Sequence, residues 1–244
     1  MNGLVAAEWL KLRTTRLLLG TVPAAVVLSF AAVAGVVLSA DGVGELESAE
    51  LVRRLLSVTG TGAILMLVVG ILIAVGEYRH GTASDTFLTT PRRDLVLVAK
   101  LIVGGAIGLA AGVLSAVLCV GLAVVLYATR NASFPIGDGD VWLTLAGTLT
   151  YSTLFAIVGV GFGWLLRNQV LAVAGALAWL AIIEHTLVNL APTLGRWLPA
   201  AAGQAIVRTP LDGLLSPVAG AAVLAAYGAA FTAAGVRISA SRDA

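Results

Sequence analysis

Three features of the sequence predict an all-α integral membrane protein with six transmembrane helices. Of its residues 59% are hydrophobic and 11% charged, with a mean hydropathy of +1.00, whereas water-soluble domains carry roughly a quarter charged residues and about half apolar ones. Most of the chain falls into six long apolar runs, each near the ~20 residues that a helix needs to cross a hydrocarbon core about 30 Å thick. Those runs are apolar on every face, whereas the strands of a membrane barrel alternate apolar and polar positions.

The runs lie at Leu17 to Ser39, Val58 to Gly76, Leu101 to Tyr127, Val141 to Leu166, Val170 to Leu190 and Pro217 to Val236. They leave no room for a folded soluble domain, so residues 1–244 read as a single transmembrane domain. The first run is too long for a simple signal peptide and no small-residue cleavage site follows it, so it reads as a retained span.

Ahead of it, Val5, Trp9 and Leu12 share one helical face, and Glu8, Lys11 and Thr15 share the opposite one. That pattern fits a helix over residues 1–16 lying in the membrane interface, and it equally fits an ordinary basic flank carrying Lys11 and Arg13. Between the second and third runs, residues 77–100 form the longest polar connection and hold Glu77, Tyr78, Arg79, His80, Arg92 and Arg93. There Thr82 followed by Asp85 is a capping-box variant, and Pro91 stops one helix and starts the next, so a short helix is predicted from Ala83 to Thr89. With Phe87 and Leu88 on it, such a helix suits docking in the cleft of another protein; a solvated loop that only anchors topology is the plainer alternative.

Gly104, Gly108 and Gly112 in the third run and Gly159 with Gly163 in the fourth have the spacing that lets helices approach closely, most simply within one molecule. Cys119, the single cysteine, excludes an intramolecular disulfide and reads as a small packing or lipid-facing residue. Only Arg167, Asn168 and Gln169 join the fourth and fifth runs, which demands a tight antiparallel hairpin. Residues 191–216 contain Pro192, Pro199 and Pro210 between apolar stretches, the mark of short or re-entrant helices at an interface.

With six spans both termini share one side. Ten of the basic residues, Lys11, Lys100, Arg92 and Arg93 among them, fall in the termini and even-numbered loops, against five in the remaining loops. The positive-inside rule then places both termini in the cytoplasm. The basic residues flank spans instead of forming one stripe, so the formal net charge of +2 points to no nucleic-acid partner.

Glu184 is the one carboxylate inside an otherwise apolar run, with His185 and Asn189 close by. An ionisable group in a span marks a substrate or proton path by default, yet a fifth helix ending one turn earlier would leave it in water. No catalytic centre is expected. His80 and His185 fall on opposite sides of this topology, and no HExxH motif or GxSxG triad is present. Lys11 and Lys100 are each followed by leucine, so no phosphate-binding P-loop exists and neither metal nor nucleotide is expected in this chain.

Three stretches carry a family likeness: AEWLKLRTTR at Ala7 to Arg16, GEYRHGTASDTFLTTPRRDLVLVAKL at Gly76 to Leu101, and GFGWLLRNQVLAVAGALAW at Gly161 to Trp179. They resemble the permease subunits of type-2 ABC exporters, the short actinobacterial ones in particular. The resemblance implies that Glu8, Trp9, Lys11 and Arg13 belong to an elbow helix. It implies that Glu77, Tyr78, Arg79, His80, Gly81, Thr82, Pro91, Arg92 and Arg93 frame a coupling helix that touches a cytoplasmic ATPase subunit holding ATP and Mg. It further implies a dimer of permeases in a bacterial plasma membrane, with re-entrant helices between spans five and six. Two other functions fit the same hydropathy: an ion- or proton-coupled transporter or channel using Glu184, and a membrane immunity or scaffold protein that moves nothing.

Overall fold

A computed structural model of the chain describes residues 1–15, 17–80 and 92–241. Among these residues every regular element is a helix. Six stretches are long and apolar enough to cross a membrane: Leu18–Leu38, Ala49–Glu77, Asp94–Thr129, Gly139–Leu166, Gln169–Leu190 and Pro217–Ile238. They are called spans one to six.

Spans two and four form the centre, with 67% and 56% of their apolar windows buried, while span five has 17% and span six 22%. The packing of spans two, three and four rests on missing side chains. A Cβ on Gly70 would lie 2.1 Å from the Ala156 carbonyl oxygen, and one on Gly159 would lie 2.1 Å from that of Leu67, so the backbones of spans two and four touch. In span three, Gly108 and Gly112 admit Ser152 and Leu149 of span four in the same way. Without a hydrophobic force between helices in lipid, such close approach supplies dispersion contact that larger residues would forbid. The expected glycine spacings therefore serve packing inside one chain, and Cys119 is a fully buried packing residue.

Span two departs from the single uninterrupted helix predicted from Val58. A first helix, Ala49–Val58, and a second helix, Ala63–His80, are separated by a turn at Thr59 to Gly62. The break is tolerated because its polar groups have partners. Ser29 Oγ donates to the Thr59 carbonyl at 3.1 Å and accepts from Gly62 N–H at 3.0 Å, and the Thr59 and Thr148 hydroxyls share a bond of 2.8 Å. Backbone freed from a helix inside a membrane must be satisfied by protein in this way. A Cβ on Gly62 would sit 2.4 Å from the Ala25 carbonyl oxygen, so glycine is required for span one to reach the turn.

The polar connection is shorter than its composition suggests. The helix of span two continues through Glu77, Tyr78 and Arg79 to His80, and that of span three begins at Arg93, so both ends of the 77–100 segment are helical. The short helix predicted at Ala83 to Thr89, with Gly81, Thr82, Asp85, Phe87 and Pro91, lies outside the described residues. The predicted hairpin is present. Span four ends at Leu166, Arg167 turns the chain with φ +54°, and the Asn168 side chain caps span five by accepting from Leu171 N–H at 3.1 Å. The proline-divided stretch forms two short helices, Pro192–Gly195 and Pro199–Ile206, each opened by its proline.

Candidate functional site

At the end of the molecule that holds the N-terminal helix, Asn2–Thr14, four charged side chains from three helices close into a ring. Lys11 Nζ donates to Glu8 Oε1 at 2.8 Å and to Glu77 Oε1 at 2.5 Å. Lys100 Nζ donates to Glu8 Oε2 at 2.7 Å and to the Ile73 carbonyl at 3.3 Å, and it stands 3.5 Å from Glu77 Oε2. Charges alternate around the ring and sum to zero. Lys100 is only 1% exposed, Glu8 5% and Glu77 7%. Burying a charge costs several kcal/mol, so such a site persists only when opposite charges and hydrogen bonds occupy most of its donors and acceptors.

Each helix contributes for a local reason. Glu8 and Lys11 are one turn apart and reach the same point. Glu77 falls in the last turn of span two, and Lys100 lies two turns into span three, so the ring grips both stems of the 81–91 segment. Burial lowers the affinity of Lys11 for its proton, but hydrogen bonds and charge from Glu77 and Glu8 outweigh that and hold its pKa above the ordinary lysine value.

The ring revises two expectations. The polar face of the N-terminal helix is divided: Glu8 is buried against Lys100 while Lys11 and Thr15 stay exposed, and Trp9 is exposed beside a shallow apolar cavity of about 510 Å³ that Val5 and Ile102 also line. Lys100, read from sequence only as a basic flank of a span, is also the buried centre of an ion cluster, and sequence reasoning missed that role. The available signal was its setting, with Leu95 to Ala99 before it and Leu101 to Val103 after it, since a lysine apolar on both sides is held inside a fold. Arg13 is exposed, and Arg92 pairs with Asp94 at 3.2 Å on the surface. Tyr78, Arg79, His80 and Arg93 have helical backbone.

At the opposite end the residues named for a substrate path separate. Glu184 is 1% exposed and turns inward, whereas His185 and Asn189 are exposed and the Asn189 amide donates to the His185 carbonyl at 2.8 Å. An open cavity of about 940 Å³ lies between the first helix of span two, the start of span four and the stretch before span six. Its lining includes Glu50, Arg53, Asp140, Arg208 and Leu211, with Arg208 paired to Asp140 at 3.1 Å. Among the described residues no cluster of His, Cys, Asp or Glu has the arrangement of a metal site.

The six apolar helices define an all-α polytopic membrane protein. Residues 4–183 match the family model described as ABC-2 family transporter protein, and the chain belongs to that family. It is accordingly a membrane-embedded permease subunit of an ABC transporter. No curated protein matches it. Permeases of this family typically pair with ATPase subunits and form dimers.

Proposed function

We propose that this chain is one half of an ATP-driven exporter that moves a hydrophobic or amphipathic substrate outward across a bacterial plasma membrane, with both termini in the cytoplasm. Cytoplasmic ABC ATPase subunits, holding ATP and Mg, dock on the segment from Glu77 to Arg93, and a second permease copy completes the membrane unit. The single observation carrying this reading is the charged ring, which joins the N-terminal helix to the two stems of the docking segment. A push on that segment is passed directly to spans two and three and to the interfacial helix, because three bodies share one ring of four charges, three of them buried. The ATPase must favour one packing of the spans over the other by a few kcal/mol, applied through this joint. Span two is the receiving element: its helix Ala63–His80 carries Glu77, and its break at Thr59 to Gly62 separates the motion of that helix from that of Ala49–Val58.

The test is co-isolation and coupling. The full chain, expressed with ABC ATPase subunits from the same genome, should copurify with one of them and stimulate its hydrolysis. Reversing Arg92 and Arg93 to glutamate, or replacing Thr82 and Asp85 with alanine, should abolish the stimulation while the permease still inserts and folds. Stimulation unchanged in both variants, or ion-driven flux through the chain without any ATPase, would refute the assignment.

A further inference from the structure

The outer helix Pro199–Ile206 has no N-cap of its own. Leu198 occupies the cap position and offers no acceptor, and Pro199 has no N–H, so Ala200 and Ala201 carry the first free donors of the helix. Glu184 satisfies both from a distance of sixteen and seventeen residues: its Oε1 accepts from Ala200 N–H at 2.5 Å and from Ala201 N–H at 3.0 Å. The carboxylate is placed there by a π-helical turn, Trp179–Glu184, which widens span five and rotates Glu184 inward. Negative charge is favoured at the positive end of a helix dipole. Yet Oε2 is buried with no hydrogen-bond partner, and among the described residues no cation supports the charge.

The two bodies joined by this contact are otherwise unequal. The outer helix is seated rigidly on spans four and six through glycines: a Cβ on Gly147 would meet the Ile206 carbonyl at 2.3 Å, one on Gly220 the Ala202 carbonyl at 2.6 Å, and one on Gly203 the Tyr151 ring at 2.1 Å. Span five is the least buried of the spans. Its inner half packs through Ala172 and Ala176 against the core, and in its outer half Glu184 is the buried residue.

We propose that Glu184 is a positioning residue for export, the latch that holds the outer half of span five against the helix Pro199–Ile206. While the carboxylate grips the two amides the outer side of the protomer is closed; when it lets go, the outer half of span five swings about its inner contacts and the protomer opens outward. The latch contact stands by itself, whereas its part in the transport cycle rests on the exporter reading above.

Amide hydrogen exchange of the full chain in lipid nanodiscs tests it, read at Ala200 and Ala201 against Ala202 to Ile206 as an internal reference. Glu184→Ala should speed exchange at the two amides by about tenfold, the size a lost N-cap produces. Glu184→Gln keeps an acceptor oxygen and should restore most of the protection, which also decides the contact if the alanine variant fails to fold. In the vanadate-trapped complex with the ATPase, the wild-type amides should exchange about tenfold faster than in the nucleotide-free complex, and those of Glu184→Ala should not change further. Equal protection in wild type and Glu184→Ala would overturn the latch. Protection lost in the variant but identical in every nucleotide state of the wild type would overturn the role in export. If no trapped complex forms, the exporter reading fails and the cycle role falls with it, while the chain alone still decides the contact.

Discussion

Replacing Lys100 with methionine tests the charged ring most directly, because methionine keeps the unbranched apolar stem of the side chain and removes the terminal ammonium with its charge and donors. Lys100 is 1% exposed and holds Glu8 at 2.7 Å, the Ile73 carbonyl at 3.3 Å and Glu77 at 3.5 Å. Without it two buried carboxylates are left facing one ammonium, that of Lys11, whose side chain is 44% exposed. Breaking a buried pair by removing one partner costs about 3–5 kcal/mol. The remaining Lys11 favours the lower end, about 3 kcal/mol, equivalent to a fall in Tm of roughly 6–12 °C for a chain of this size. The double variant Lys100→Met, Glu8→Gln removes one charge of each sign and leaves the neutral Lys11–Glu77 pair, so it should recover most of the loss, with a coupling of about 1–3 kcal/mol. Thermal unfolding of purified protein in detergent, run as a double-mutant cycle, measures both. A single variant within about 2 °C of wild type, or a double variant whose loss equals the sum of the two singles, would show that the ring does not act as a unit.

Gly70→Ala or Gly159→Ala should destabilise by about 1–3 kcal/mol or more, because the new Cβ meets a backbone oxygen that cannot move away. Gly121→Ala, with nothing within 4 Å, should be neutral or slightly stabilising in the same melting assay. Lys11 has a raised folded-state pKa, so its contribution is fully present below the unfolded value and is lost as pH rises through the folded one. The difference in Tm between wild type and Lys11→Met should therefore be constant from about pH 7 to about pH 10 and shrink only above that. Solvent screening keeps that difference smaller than for Lys100.

Much of the architecture was legible in the residues because a bilayer leaves few choices. Long apolar runs must be helices there, so span number follows from counting, and the hairpin at Arg167 and Asn168 follows from a connection too short for anything else. The glycine spacings announced close helix contact, though not which helices meet. The functional joints were less visible. Lys100 and Arg92 look alike as basic residues beside a span, yet one is the buried centre of a ring and the other pairs on the surface. Glu184, His185 and Asn189 are neighbours in sequence, but a π-turn sends the first inward and leaves the others outside. The break in span two was hidden because Thr59 to Gly62 is mild enough in hydropathy to pass for helix.

Composition and periodicity alone determined that the chain is helical, membrane-embedded and six times spanning, since these depend on the solvation of backbone and side chains one segment at a time. Which charges neutralise one another, which glycines admit a neighbouring backbone and which carboxylate caps a distant helix were decided only by the tertiary structure. Those outcomes depend on pairs of residues up to 92 positions apart, as Glu8 and Lys100 are, and no local pattern encodes where two such side chains will meet.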